Sequence, residues 1–481
     1  MHGEQLLLII IFTPLLGAFI LPLCARISPY FRNSLALIFS LTSFISSLFV
    51  IPRVLNGQAL VISKALPLGF NILFCADALA VFMAATSSLI SSVIVFYSFG
   101  YISHYQEQDE YYLMVLLFLG AMMGLVFSGN LILLYVFWEI TAIASWRLIG
   151  FFREKNHILR ADKAFLVTVA GALVMLIGFL MLYQQTGSFD IPVIKAALGG
   201  NAVSGIAALL IIIGIFSKSA TLPFHTWLPD AGVAPSPVTA LLHAAVLVKI
   251  GVYVFARLFV ADFILAEYLK SMVLWVAAAS ALISAGAALL DTDLKRIIAY
   301  STISQIGFIF LGLALGTEIA VAGAMLYILM HGLAKAGLFL CAGIIEQNTG
   351  SKDITKLGGL VHTMPLTAVS FLFCAFSVMG IPPFGGFLAK LMVITAAFSA
   401  GRLIIAFVFV ACAGMTILYL FRVFNLVFMG EGKGILARES SLPMIASVLA
   451  LAVLSLAGGI FIKYPNSFIQ VAAQQMLAIA K

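Results

Sequence analysis

Residues 5–24, QLLLIIIFTPLLGAFILPLC, hold no charged side chain, and runs of the same kind recur along the whole chain. A helix that crosses the hydrocarbon core of a bilayer needs about 20 mostly apolar residues. By that rule spans are predicted near 5–24, 33–51, 78–101, 112–128, 130–150, 162–183, 204–221, 236–259, 269–290, 296–316, 319–345, 365–390, 402–429 and 441–463. The fold class is therefore all-α integral membrane, with about fourteen transmembrane helices. Transmembrane β-strands are excluded because the runs are continuously apolar rather than alternating. The segment 66–76 is expected to lie flat at the interface. The whole chain, 1–481, reads as a single membrane domain.

Composition agrees. Hydrophobic residues make up 63% and charged residues 9%, against about 45–50% and 25% in soluble proteins. The net charge of +7 comes without basic runs, so nucleic-acid binding is not expected. Cys24, Cys75, Cys341, Cys374 and Cys412 form no CxxC and read as small apolar packing residues. No iron–sulfur or zinc site is visible. The first run lacks the basic flank and cleavage site of a signal peptide and is expected to stay as the first span.

Lysine and arginine in short loops set orientation. The connections 25–32, 151–163, 291–296, 346–363 and 430–440 fall on one side and hold Arg26, Arg32, Arg153, Lys155, Arg160, Lys163, Lys295, Arg296, Lys352 and Lys356. That side is expected to face the cytoplasm, placing both termini outside the cell membrane.

Two spans are interrupted, at FSKSATLPFHTWLPDA (216–231) and FSVMGIPPFGGFLAKL (376–391). Proline removes an amide donor and clashes with the preceding turn. The carbonyls it frees are tolerated at membrane depth only where protein or water satisfies them. Phe216, Ser217, Pro223 and Phe224 recur about 160 residues later as Phe376, Ser377, Pro383 and Phe384. Blocks of five helices, about 112–259 and 269–429, follow the same offset. Coincidence in low-complexity sequence is the plain alternative; an internal repeat with a broken helix in each half points instead to a transport site.

Charges also occur where a bilayer penalises them by several kcal/mol. Glu139, Lys218, Lys249, Lys335 and Lys390 sit within or beside apolar spans, with His243 and His331 among them. A lysine near a helix end can snorkel to the interface, and a lone histidine can be a packed, hydrogen-bonded residue. The set is harder to explain that way than any one member. His331 and Lys335 are four apart and share a helix face, whereas His243 and Lys249 are six apart and point differently. Desolvation favours the uncharged form of amines and carboxyls alike. A row of such groups, wetted by internal water, is a route for protons, gated by moving a neighbouring charge. A sodium route needs oxygen ligands, for which Asp230, Thr226 and carbonyls at the first break are candidates.

The stretches FWEITAIASWRLIGF (137–151), 216–258, DLKRIIAYSTISQIGFIFLGLALG (293–316), MHGLAKAGLFLCAG (330–343) and GIPPFGGFLAKL (380–391) resemble the antiporter-like subunits of respiratory complex I. Energy-converting membrane-bound hydrogenases and Mrp-type sodium/proton antiporters carry members of the same family. The resemblance covers roughly 75–430 and implies fourteen helices with two inverted five-helix repeats, each with a discontinuous helix. It implies that Glu139 and Lys218 form a carboxylate–lysine pair, that Lys249 is the lysine of the eighth helix with His243 one and a half turns before it, that His331 and Lys335 are the connecting pair, and that Lys390 is the exit. It also implies partner membrane subunits and no cofactor bound by this chain. Arg147 departs from the pattern, and is expected to snorkel or to tune Glu139; His225 and Asp230 are further candidates for tuning or ion contacts. The chain ends at Lys481 without the long lateral helix of the largest complex I relative, which favours the shorter hydrogenase or Mrp relatives.

The function expected from these residues is proton translocation, with Na⁺ as a further possible ion, in a redox-driven complex of hydrogenase type. The alternative is membership of an Mrp-type antiporter without redox chemistry. An independent solute transporter is disfavoured because no substrate-sized polar cluster is visible. The isolated chain shows no nucleophile–base pair or nucleotide loop, so any oxidoreductase chemistry belongs to partners.

Overall fold

Polar caps punctuate the apolar runs and decide where each helix begins. A computed structural model describes residues 3–65, 71–432 and 437–479. Ser28, followed by Pro29 at the first helical position, opens α2 (Pro29–Leu55) after α1 (Gly3–Ala25). Asp77 accepts from the Ala80 amide to start α3 (Ala78–Tyr101). After α4 (Gln108–Phe127), Asn130 accepts from the amides of Ile132 and Leu133 to start α5 (Leu131–Ile149). The long α6 (Lys155–Thr186) ends on Gly187 in the left-handed conformation. Next come a short α7 (Ile191–Leu198), the interrupted pair α8 (Gly205–Lys218) and α9 (Trp227–Asp230), and α10 (Ser236–Ala240) with α11 (Leu247–Phe255). The second half holds α12 (Glu267–Leu290), α13 (Leu294–Leu315), α14 (Glu318–Thr349), a second interrupted pair α15 (Pro365–Met379) and α16 (Gly385–Ser399), α17 (Leu403–Phe424), α18 (Leu442–Ile460) and α19 (Lys463–Ile479).

Twelve helical stretches among the described residues are long and apolar enough to cross a membrane, counting α10 and α11 as one. The two interrupted pairs complete the architecture expected from the sequence. This is a multi-pass membrane protein.

Three details differ from the sequence reading. Residues 71–76 take an extended conformation that the span assignment did not include. They form strand β2 (Asn71–Ala76), paired antiparallel with β1 (Leu60–Ala65), because a partner strand of similar length precedes them; residues 66–70 of that segment lie outside those described, as do 433–436 of the last basic loop. The second broken span reaches Ser399 rather than residue 390, because the helix restarts at Gly385 and runs four more turns. Beyond the fourteenth span, α19 buries Ile469, Ala472, Ala473 and Met476 along one face.

Helices α10, α11, α13 and α14 are buried almost all round, as expected of helices apolar on every face. The stretch from α10 to α11 and helix α14 also carry His243, Lys249, His331 and Lys335. Two glycines let backbones meet at the breaks. A β-carbon on Gly251 would lie 2.6 Å from the Ile215 carbonyl, and one on Gly386 would overlap the Ser377 carbonyl.

Candidate functional site

Each helix break frees carbonyls at the C-terminal end of a half-helix, and the fold supplies donors to them. At the first break, the Trp227 indole donates to the Ser217 carbonyl at 3.0 Å. At the second, Lys390 Nζ donates to the Val378 carbonyl at 2.7 Å, placing a cation at the negative end of α15. The peptide bonds before the matched prolines, Leu222–Pro223 and Pro382–Pro383, are both cis.

Lys218, in the last turn of α8, is fully buried. The sequence pairs it with Glu139, but its Nζ donates to the Trp138 carbonyl at 3.2 Å and lies 5.3 Å from the centre of that indole ring. The amine hydrogen-bonds the peptide next to the glutamate, while the Glu139 carboxylate acts on it through charge alone. Glu139 sits half-buried on a partly exposed face of α5, and its buried Oε1 has no hydrogen-bond partner among the described residues.

The centre is closer-knit than the spacing suggested. Lys249 Nζ lies 2.9 Å from His331 Nδ1 and donates to the Ile328 carbonyl at 3.1 Å. His331 thus meets Lys249 on α11 rather than Lys335 on its own helix. Lys335 shares the face of α14, but its long stem reaches to α13. There Nζ donates to Ser301 Oγ at 2.6 Å and to the Ile298 carbonyl at 3.1 Å. His243 occupies a π-helical turn, Leu241–Ala245, of the kind that often marks functional sites. Its ring lies 4.5 Å from that of Phe339, and among the described residues neither nitrogen has a hydrogen-bond partner; His331 Nε2 lacks one too. Each such buried group costs about 1–3 kcal/mol if left dry, so these are natural positions for internal water or a transferable proton.

Beyond Lys335 runs a polar chain that sequence reasoning missed. The Tyr419 hydroxyl lies 2.7 Å from Ser301 Oγ and 3.2 Å from Thr416 Oγ1, and its one proton serves either. Gln305 Nε2 donates to Thr416 at 3.2 Å, and Tyr327 donates to Gln305 Oε1 at 2.5 Å. The Tyr327 ring centre lies 5.7 Å from Lys390 Nζ. The hydrogen-bonded chain therefore runs from Lys335 to Tyr327, whose ring packs beside Lys390. A glutamine mid-span and a threonine–tyrosine pair three apart in α17 were the available signals.

The three tuning candidates fall elsewhere. Arg147 pairs with Glu110 of α4, to which Arg153 also donates at 2.6 Å, and makes no ion pair with Glu139 among the described residues. Asp230 accepts from Lys163 at 2.8 Å and from Arg296 at 3.0 Å, so both oxygens are already held by cations and a sodium ion there would have to displace them. His225 is half-buried at the first break, with Nδ1 buried and without a hydrogen-bond partner among the described residues.

The model of the family described as "NADH:quinone oxidoreductase/Mrp antiporter, TM" matches residues 128–416. A Na(+)/H(+) antiporter subunit of Alkalihalophilus pseudofirmus is 36% identical over 428 residues, covering 82% of this chain and 53% of that protein. The "NAD(P)H-quinone oxidoreductase chain 5" of Synechocystis is 35% identical over 376 residues, covering 74% and 54%. The chain thus spans about half the length of these curated relatives. Among solved structures, the Mrp complex of Dietzia sp. DQ12-45-1b contains a chain that superposes with a TM-score of 0.89 at 26% identity, covering 99% of this chain and 98% of that one. A chain of an archaeal membrane-bound sulfane sulfur reductase shares the fold, with a TM-score of 0.90 at 24% identity and 99% coverage of both.

Proposed function

Since this chain belongs to the NADH:quinone oxidoreductase/Mrp antiporter membrane family, we propose that it is a proton-translocating subunit of an Mrp-type Na⁺/H⁺ antiporter assembly in the cell membrane. The observation that carries this reading is the contact between Lys249 and His331, at 2.9 Å and sealed from lipid by surrounding helices. A proton shared between an amine and an imidazole at that distance moves without either group leaving its helix. The sequence favoured a hydrogenase-type complex; the named relatives support the antiporter setting better.

Glu139 faces the edge of the bundle, where a partner subunit supplies or removes charge. A change there is felt by Lys218 through the Trp138 peptide. Protons then pass inward to Lys249 and His331, with His243 beside them. Lys335 receives them and hands them along Ser301, Tyr419, Gln305 and Tyr327 towards Lys390. In water-poor surroundings these charges act on one another far more strongly than at a surface, which couples the steps. The reading needs no cofactor in this chain.

The test uses everted vesicles holding the chain with the subunits encoded beside it, in a host lacking its own Na⁺/H⁺ antiporters. Added Na⁺ should collapse an imposed pH gradient, and Glu139→Gln or Lys218→Ala should slow that collapse at least tenfold. A gradient indifferent to Na⁺, or both variants at wild-type rate, would refute the proposal.

A further inference from the structure

We propose that Ser87 of α3 is a positioning residue for the proton row: its hydroxyl holds the helix open between His243 and Lys249. This rests on the function proposed above and adds a residue to it.

The spans broken at Pro223 and Pro383 carry the cause of the break in their own sequence. The stretch LLHAAVLVKI (241–250) does not. It holds neither proline nor glycine, and its alanines and leucines favour a continuous helix. Yet a π-helical turn ends at Ala245, and α11 starts only at Leu247. Val246 between them has φ −126° and ψ −73°, away from helical values. Its amide bonds back to the Leu241 carbonyl at 3.0 Å, one residue further than in an α-helix. An interruption of this kind needs a cause, and a side chain inserted into the hydrogen-bond ladder is one.

Ser87 supplies it. In a continuous helix the Lys249 amide would bond the Ala245 carbonyl. Here that amide bonds the Val246 carbonyl instead, at 3.0 Å, and the Ser87 hydroxyl donates to Ala245 at 2.9 Å in its place. Ser87 is fully buried. Its helix runs antiparallel to the interrupted one and is tied to it again where Arg257 grips Asp77. From the other side α14 presses on the same turn: a β-carbon on Gly332 would lie 3.2 Å from the Ala244 carbonyl. The turn is thus held between α3 and α14. His243 lies within it, Lys249 follows it by four residues, and His331 precedes Gly332.

Without the hydroxyl, the Ala245 carbonyl would be left without a donor in a water-poor interior, which buried backbone groups rarely tolerate. The relief open to the chain is to return the Lys249 amide to Ala245 and close the ladder. Taking the extra residue out of the turn rotates one side of the helix against the other by about 100°. His243 then leaves its place 4.5 Å from the Phe339 ring, or Lys249 leaves His331. Ser91, one turn further along α3, is as fully buried, but its hydroxyl has no hydrogen-bond partner among the described residues. It makes the natural control.

The experiment compares Ser87→Ala, Ser91→Ala and Lys218→Ala in the assembled complex, by Na⁺-driven proton flux across a range of pH, in everted vesicles matched for assembled protein. Ser87→Ala should lower flux at least tenfold. It should also move the pH of half-maximal flux by about 0.5 unit or more, because His243, Lys249, His331 and Lys335 titrate as one coupled system. Ser91→Ala should stay within twofold of wild type with its pH profile unmoved. Lowered flux with an unmoved profile in Ser87→Ala would mark a merely structural serine and overturn the proposal, as would equal losses in the two serine variants. Wild-type flux and profile in Ser87→Ala beside lost flux in Lys218→Ala would overturn the positioning role and leave the proposed function standing. Wild-type flux in all three would overturn both. If Ser87→Ala does not assemble, Ser87→Cys takes its place: the thiol nearly matches the hydroxyl in shape but donates weakly. Wild-type flux with an unmoved profile there overturns the proposal as well.

Discussion

Replacing Lys335 by methionine separates an amine kept for transport from one kept for packing. Methionine nearly matches the lysine stem in volume, so little cavity results. Lys335 is fully buried, and its partners are the Ser301 hydroxyl and the Ile298 carbonyl, with no carboxylate among them. The substitution gives up two hydrogen bonds, together about 2 kcal/mol. Ser301 keeps its bond from Tyr419, so no hydroxyl is stranded. Against that loss stands the cost of burying the amine, which must either stay charged without a counter-ion or give up its proton, several kcal/mol in either case. Lys335→Met should therefore leave the assembly as stable as wild type or stabilise it by about 1–3 kcal/mol, while proton flux falls at least tenfold. Unfolding midpoints in mixed micelles measure the first, and vesicle flux the second. Destabilisation by more than about 3 kcal/mol, or flux within twofold of wild type, would refute the reasoning.

Tyr419→Phe removes the hydroxyl that links Ser301 to Thr416 and should lower flux by about tenfold with assembly intact. Arg147→Ala should cost about 1 kcal/mol at a half-exposed pair and leave flux within twofold, because its partner is Glu110 rather than Glu139. Burial alone would raise the Asp230 carboxyl, but hydrogen bonds and charge from Lys163 and Arg296 hold it below its ordinary value of 3.8. Its stabilisation is thus complete above about pH 4 and fades as pH falls through the lowered value. Asp230→Asn should lose about 1 kcal/mol at neutral pH, show a shallower acid loss of stability than wild type, and leave the Na⁺ dependence of transport unchanged.

The membrane fold was legible because each span must be apolar over its whole length, a constraint that leaves its mark on every residue. The breaks were legible for the same reason: Pro223 and Pro383 stand where a continuous helix would be expected. Which titratable residues lie inside was plainest for Lys249 and Lys335, which sit far from any loop. Their partners were not plain. A lysine stem reaches far enough to choose among several neighbouring helices, so local spacing joined His331 to Lys335 where tertiary packing joins it to Lys249. The link through Gln305, Thr416 and Tyr419 combines α13 with α17, more than a hundred residues apart. Neutral polar side chains carry too little membrane penalty to stand out as lysines do. The ion-pair partner of Arg147 was not legible because Glu110 opens a different helix. The hairpin β1–β2 was missed because a short strand and a short interfacial run look alike by periodicity.

The central claim is that protons cross by way of the paired amine and imidazole at Lys249 and His331. Its most direct test is Na⁺-driven proton flux through the assembled complex carrying Lys249→Met, in vesicles matched for assembled protein. The account expects less than a tenth of wild-type flux; flux equal to wild type would contradict it.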